Sequence, residues 1–215
     1  MVDLNIFTNC TKKYSDDASL IKNTYESLIK VFGDEHLGKI RIFIDPQPSS
    51  EKLQDYKSHI EKVIPSVSEI FITDGLADGY IKSTEVCESD YIFQLEHDWE
   101  FLPTIKHDLA FLVDCMVKEN MHHLRFNKRA NTEKPWETLK HVVVSGADFC
   151  KTPIRSNNPH IINRISYIDR WNSYLDLSNT PKRADGIENK LVGTQGYIYG
   201  KPGYPQQINH TDGRK

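Results

Sequence analysis

Glu96-His97-Asp98 places two carboxylates two residues apart. On an extended chain, residues two apart point to the same side, so both acids can face one cation. Further acids stand at Asp45, Asp74, Asp78 and Glu100. Carboxylates gathered at one edge repel one another, and a divalent cation resolves that conflict. Mg²⁺ or Mn²⁺ takes oxygen ligands, typically one or two carboxylates with the rest from water and substrate phosphates. Acids also follow strands and cap helices for purely structural reasons, so the surrounding elements decide between the readings.

Those elements alternate. Leu4 to Phe7 reads as a strand. Asp16 or Asp17 can cap a helix with Ala18, Ile21, Tyr25, Leu28, Ile29 and Phe32 on one face, and Gly33 stops it. Lys39 to Asp45 is a strand ended by Pro46, and Ser49 or Ser50 caps a helix carrying Leu53, Tyr56, Ile60 and Val63, stopped by Pro65. Glu69 to Thr73 is a third strand, Asp74-Gly75 a turn, Ala77 to Glu88 a helix and Asp90 to Glu96 a fourth strand. Repeated strand–helix–strand units mean an α/β layer with a mixed, mostly parallel central sheet and helices on both faces. A helix is expected from Pro103 to Glu119. Beyond it, strands are expected at His123–Phe126, Val142–Ser145, Ile161–Ile168 and Gly196–Tyr199. Nothing around Asn209 to Gly213 reads as a terminal element.

In an open parallel sheet, ligands bind beyond the carboxyl ends of the strands. The residues there are Thr8 and Asn9, then Asp45, then Asp74 and Asp78, then Glu96 and Asp98.

Composition narrows the class. The chain has 215 residues, 38% hydrophobic and 27% charged, with a net charge of −3. This length suits one domain, 1–215, and the absence of a basic excess argues against a nucleic-acid partner. No apolar run reaches the ~18 residues of a membrane span, and a cytoplasmic location is expected. Cys10, Cys87, Cys115 and Cys150 are widely spaced, which suits free thiols.

Asp90-Tyr91-Ile92-Phe93-Gln94-Leu95-Glu96-His97-Asp98-Trp99 resembles the DXD segment of GT-A fold glycosyltransferases. The resemblance implies a single GT-A-like domain, with 1–100 binding the nucleotide sugar and 101–215 the acceptor, in a layout that also fits a piece of a longer protein. It implies a Mn²⁺- or Mg²⁺-dependent transfer of a hexose or deoxyhexose from a UDP-sugar to a glycan or glycoprotein. Glu96, Asp98 and His210 are the implied metal ligands, with Asp98 the safer of the two DXD acids. Thr8 and Asp45 take the positions that bind base and ribose, with Asn9 beside Thr8; Asp78 and Lys82 fall where many members contact the donor. Asp185 and Glu188 loosely resemble the acidic motif that supplies a base in inverting members, although Asn189 stands where Asp is usual. Size and an Asn-, Lys- and Ile-rich composition are similar to capsid-glycan glycosyltransferase domains of large algal viruses, which would set the reaction in host cytoplasm.

Two other readings compete. A sugar-nucleotide pyrophosphorylase should carry a Gly-rich basic loop after the first strand, and Thr8 to Lys13 has no glycine. A non-catalytic nucleotide- or glycan-binding module with the same fold is the remaining alternative. Arg125, Lys128 and Arg129 read as a solvated basic strand end, His122-His123 as structural and Ser156 to His160 as a polar loop. Trp99, Trp136 and Trp171 fit sugar stacking or core packing equally.

Overall fold

The computed structural model of the protein describes residues 1–10, 18–45, 52–170 and 196–211. The first part follows the alternation of the sequence: β1 (Val2–Asn9), α1 (Ser19–Phe32), β2 (Leu37–Asp45), α2 (Leu53–Val63), β3 (Val67–Ile72), α3 (Leu76–Val86) and β4 (Tyr91–Glu96). Helix α1 stops where Gly33 adopts a φ of 73° and returns its N–H to the Ile29 carbonyl, a backbone state that glycine enters without steric cost. The caps expected at Asp16 or Asp17 and at Ser49 or Ser50 lie outside the described residues.

The chain continues through β5 (Trp99–Phe101), α4 (Leu109–Lys118), β6 (His123–Arg125), β7 (Lys140–Val144), β8 (Ala147–Thr152), β9 (His160–Asn163), α5 (Arg164–Arg170), β10 (Gly196–Tyr199) and β11 (Ile208–His210). Three expectations are corrected here. Helix α4 begins at Leu109 rather than near Pro103, because the Asp108 carboxylate accepts the Phe111 N–H at 2.8 Å and caps the helix there. The run from Ile161 to Ile168 is not one strand. Asn163 Oδ1 accepts the Ser166 N–H at 3.0 Å, which ends β9 and opens α5. The stretch around Asn209 is a strand after all, held antiparallel to β5.

The large sheet has the order β3-β2-β1-β4-β9-β6-β10-β8-β7. The pairs β3/β2, β2/β1, β1/β4 and β6/β10 are parallel, while β9 runs against β4 and β6, and β8 against β10 and β7. All strands but β8 and β9 therefore point one way. Ile6, Ile42 and Leu95 pack with Ile21, Leu28, Ile60, Leu112 and Met116, so α1, α2 and α4 cover one face. Phe7, Phe43 and Ile92 pack with Tyr80 and Tyr167, which puts α3 and α5 on the other. The α/β expectation with helices on both faces holds.

Arg41 crosses beneath α3 with its side chain only 1% exposed. Its guanidinium donates to Asp3 Oδ2 at 2.6 Å and to Glu69 Oε2 at 2.7 Å. Burial works against the Asp3 charge, but hydrogen bonds from Arg41, Ser89 and the Lys39 N–H outweigh it and hold the carboxyl below its usual pKa. Among the described residues, no helix is long and apolar enough to cross a membrane.

Candidate functional site

Parallel pairing brings the carboxyl ends of β3, β2, β1 and β4 to one rim. Asn9 lies opposite Asp45 and Phe7 opposite Glu96, and the His97 N–H donates to the Phe7 carbonyl at 2.9 Å. The sequence-predicted residues Thr8, Asn9, Asp45, Glu96 and Asp98 thus share one edge, as parallel topology requires. Strand alternation separates them by face. Ile40, Ile42 and Ile44 pack under α1 and α2, so Asp45 falls on the α3 side. Thr8 takes the α2 side, its hydroxyl 2.6 Å from that of Tyr56. Asn9 Oδ1 is buried with no hydrogen-bond partner among the described residues. An acceptor left in that state is costly unless something satisfies it.

The DXD segment departs from the geometry expected of it. Strand β4 ends at Glu96, and His97-Asp98 forms a turn into β5. Glu96 and Asp98 therefore do not lie on one extended run, and the argument from period-two alternation does not apply to them. The turn is tied to α1: Thr24 Oγ1 donates to the His97 carbonyl at 2.6 Å and accepts the Trp99 N–H at 3.1 Å. Asp98 is 2% exposed. His210 Nε2 sits 3.3 Å from its Oδ2, because β11 pairs with β5 and sets His210 against Trp99. The Thr211 N–H donates to the Asp98 carbonyl at 2.8 Å, and the His210 ring meets the Trp99 indole edge-on at 4.5 Å. Trp99 Nε1 is buried without an acceptor among the described residues.

No group of three or more His, Cys, Asp or Glu side chains converges to hold a metal among the described residues. Asp98 and His210 are together; Glu96 does not complete a set with them. One carboxylate and one imidazole could supply two positions of a divalent cation such as Mn²⁺, leaving the others to water and phosphate oxygens. Trp99 Nε1 is thus a buried donor beside this pair, while Asn9 Oδ1 is a buried acceptor at the end of β1.

Other candidates have structural engagements. The Asp78 carboxylate accepts the Asp74 N–H at 2.9 Å and closes the turn into α3. Lys82 Nζ donates to the Ile72 carbonyl at 3.4 Å and lies 5.3 Å from the centre of the Phe71 ring. Asp185, Glu188, Asn189 and Trp171 lie outside the described residues.

The second half of the sheet carries a feature that the sequence did not disclose. A cleft of about 790 Å³ opens beside β6 and β10, lined in part by Arg125, Lys128, Arg129, Lys134, Trp136 and Arg155. Arg125 is no solvated strand end: it is 3% exposed and ion-paired with buried Glu137. Trp136 is 68% exposed, whereas Trp99 is buried. Nearby, His123 and His160 stack at 4.5 Å. Burial, aided by the charges of Arg155 and Arg125, keeps both rings neutral; it takes the His160 pKa to about 4 against the pull of the Asn158 carbonyl, and His123 well below its usual value. His123 Nδ1 meets the Tyr167 hydroxyl at 2.7 Å and His122 Nδ1 the Ser166 hydroxyl at 2.8 Å, so the histidine pair is structural as expected.

Comparison with solved structures defines the class of fold first. It is a mixed, mostly parallel α/β sheet with helices on both faces, an arrangement similar to that of the following solved structures. S. aureus TarS 1-349 superposes with a TM-score of 0.56 at 10% identity, over 98% of this chain and 60% of that one. The same protein in complex with UDP-GlcNAc gives 0.56 at 11% identity, over 100% and 60%. UDP-glucose pyrophosphorylase complexed with UDP-glucose gives 0.53 at 11% identity, over 94% and 92%. The chain therefore spans about 60% of the length of the TarS structures. No protein-family model matches it, and no curated protein does.

Proposed function

We propose that the chain is a glycosyltransferase that moves a hexose or deoxyhexose from a UDP-sugar to a glycan or glycoprotein acceptor. The observation that carries this reading is the Asp98–His210 pair, set by β5 and β11 at the rim where β1, β2 and β4 end. The fold likeness to proteins crystallised with UDP-GlcNAc and UDP-glucose supports a nucleotide-sugar ligand.

In this reading Asp98 and His210 would hold Mn²⁺ or Mg²⁺, with Glu96 at the end of β4 beside them in sequence. The cation, when bound, neutralises the diphosphate leaving group. The chain does the rest by position. Asn9 Oδ1 accepts a hydrogen bond from base or ribose, which removes the penalty of an unpaired buried oxygen. Asp45, on the α3 side of the same rim, takes a ribose hydroxyl or uracil N–H. Thr8 supports the base through Tyr56, and Asp78 and Lys82 brace the turn and helix against which the donor lies. Asp185 or Glu188 supplies the base if the reaction inverts. A capsid-glycan role in host cytoplasm rests on the sequence resemblance alone.

Thermal unfolding with UDP, GDP or CMP, each with and without Mn²⁺, tests the reading. A ligand at ~100 times its Kd adds about 2.7 kcal/mol. Stabilisation by UDP only with Mn²⁺ present is the expected result. No shift with any nucleotide removes the transferase proposal and leaves a glycan-binding module in its place.

A further inference from the structure

Trp136 lines the cleft beside β6 and β10 with 68% of its surface exposed. A tryptophan side chain is highly buried on average, and here the backbone keeps it out. Lys134 and Glu137 exchange backbone hydrogen bonds at 3.1 and 2.9 Å, which closes a two-residue tip of Pro135 and Trp136. The Pro135 ring fixes its own φ. Glu137 is buried, ion-paired with Arg125 of β6, and accepts the hydroxyl of Thr152 of β8 at 3.1 Å. The following Leu139 N–H donates to Glu133 Oε1 at 3.0 Å, across the base of the same tip. The indole is therefore carried on a rigid mount rather than on a trailing loop.

The surroundings of the indole set the chemistry of its partner. Leu139 and Ile198 also line the cleft but are only 8% and 0% exposed, so the indole is the largest apolar face that the described lining turns to solvent. Thr132, Ser156 and Asn158 add hydroxyl and amide groups to that lining. A pyranose ring has the matching character, with a face of C–H bonds and a rim of hydroxyls. An apolar peptide would strip water from the polar groups and return no hydrogen bond. A cleft of about 790 Å³ holds a ligand of a few rings, within the ordinary range of such sites. A mount already fixed spares the ligand the cost of ordering it.

We infer that Trp136 is a stacking platform for one pyranose ring of a saccharide, whose hydroxyls are received by the polar groups of the cleft. The cleft adjoins the Asp98 site through one side chain: Lys128 lines it, Lys128 Nζ lies 5.9 Å from the centre of the Trp99 ring, and Trp99 contacts His210. That adjacency makes the stacked saccharide the acceptor. The acceptor role rests on the transferase reading; stacking on Trp136 does not.

The test is saturation-transfer NMR on the full chain with methyl β-glucoside, methyl β-galactoside and N-acetylglucosamine, each added separately. Sorbitol, which has the hydroxyls without the ring, is the control, and UDP binding is measured in parallel. At least one sugar should receive saturation, concentrated on the ring protons of a single face. In methyl β-glucoside these are H1, H3 and H5. Trp136→Ala should weaken that sugar roughly tenfold, Trp136→Tyr should restore much of the binding, and both should leave UDP affinity unchanged. The side chain is exposed, so an unchanged unfolding temperature shows that the variants fold. The inference is overturned if none of the sugars binds, if sorbitol binds as well as they do, or if binding survives Trp136→Ala. Loss of UDP affinity in Trp136→Ala also overturns it, because the indole would then serve the donor. Sugar stacking in a chain that binds no UDP upholds the platform and removes the acceptor role.

Discussion

His210 Nε2 stands 3.3 Å from Asp98 Oδ2, and the strand pairing that sets His210 against Trp99 also brings the Thr211 N–H to the Asp98 carbonyl. One short ladder thus fixes both the side chain and the backbone of the acid. Asp98→Asn keeps the shape and removes the charge, and His210→Ala removes the partner. Each should abolish the Mn²⁺-dependent part of the UDP stabilisation. At saturation in the wild type this is a rise of roughly 5–10 °C in Tm. A scanning-fluorimetry series checks it, and persistence of the full shift in Asp98→Asn would show that the acid does not serve the donor.

Arg41 and Asp3 are buried together at 1% and 4% side-chain exposure. Removing one partner strands the other charge inside. Arg41→Ala should therefore cost about 3–5 kcal/mol in urea unfolding. Arg41→Met paired with Asp3→Leu should recover much of that loss. Because the folded-state pKa of Asp3 is depressed, its contribution is present above the unfolded carboxyl pKa and fades as pH falls toward the lower folded value.

His160 gives a second pH dependence in a higher window. Its pKa of about 4 lies below the usual 6.5, so from pH 6.5 down to 4 the unfolded chain takes a proton that the folded chain refuses. Stability must fall across that interval by about 1 kcal/mol or more per pH unit for each such ring. His123 adds to the slope. Denaturant titrations at several pH values should show it, and His160→Gln should flatten it.

All four cysteines are buried. Burial raises Cys87 to about 11 and Cys150 to about 12, with acidic neighbours adding to the latter. Thiolate is the reactive form, so a disulfide reagent near neutral pH should label the native chain slowly and all four thiols promptly after unfolding. Fast labelling of the native chain would contradict this packing.

The first four strands and three helices were legible because each announced itself by period. Ile21, Leu28 and Phe32 recur at helical spacing, and Arg41 and Phe43 alternate with Ile42 and Ile44 across a strand. What the sequence hid has physical reasons. β5 and β11 are three residues each, too short for alternation to register, yet they assemble the Asp98–His210 pair. The Glu96/Asp98 geometry was misjudged because a turn follows β4 directly, and no glycine or proline marks it. Arg125 looked exposed because its partner, Glu137, is distant enough in sequence to go unnoticed. The basic cleft draws on β6, β10 and the loops beside β7 and β8, and only the tertiary structure brings these together.

The placement of β10 has a consequence for synthesis on the ribosome. It lies between β6 and β8, and it is the parallel neighbour of one and the antiparallel neighbour of the other. A nascent chain that has emerged through α4 already holds β3, β2, β1 and β4 and can join them into a sheet. β8 and β7, although finished earlier, can dock on that sheet only after residues 196–199 leave the exit tunnel. The Asp98–His210 pair and the cleft therefore form in the same late step, and a chain stalled before it presents an open sheet edge and neither feature.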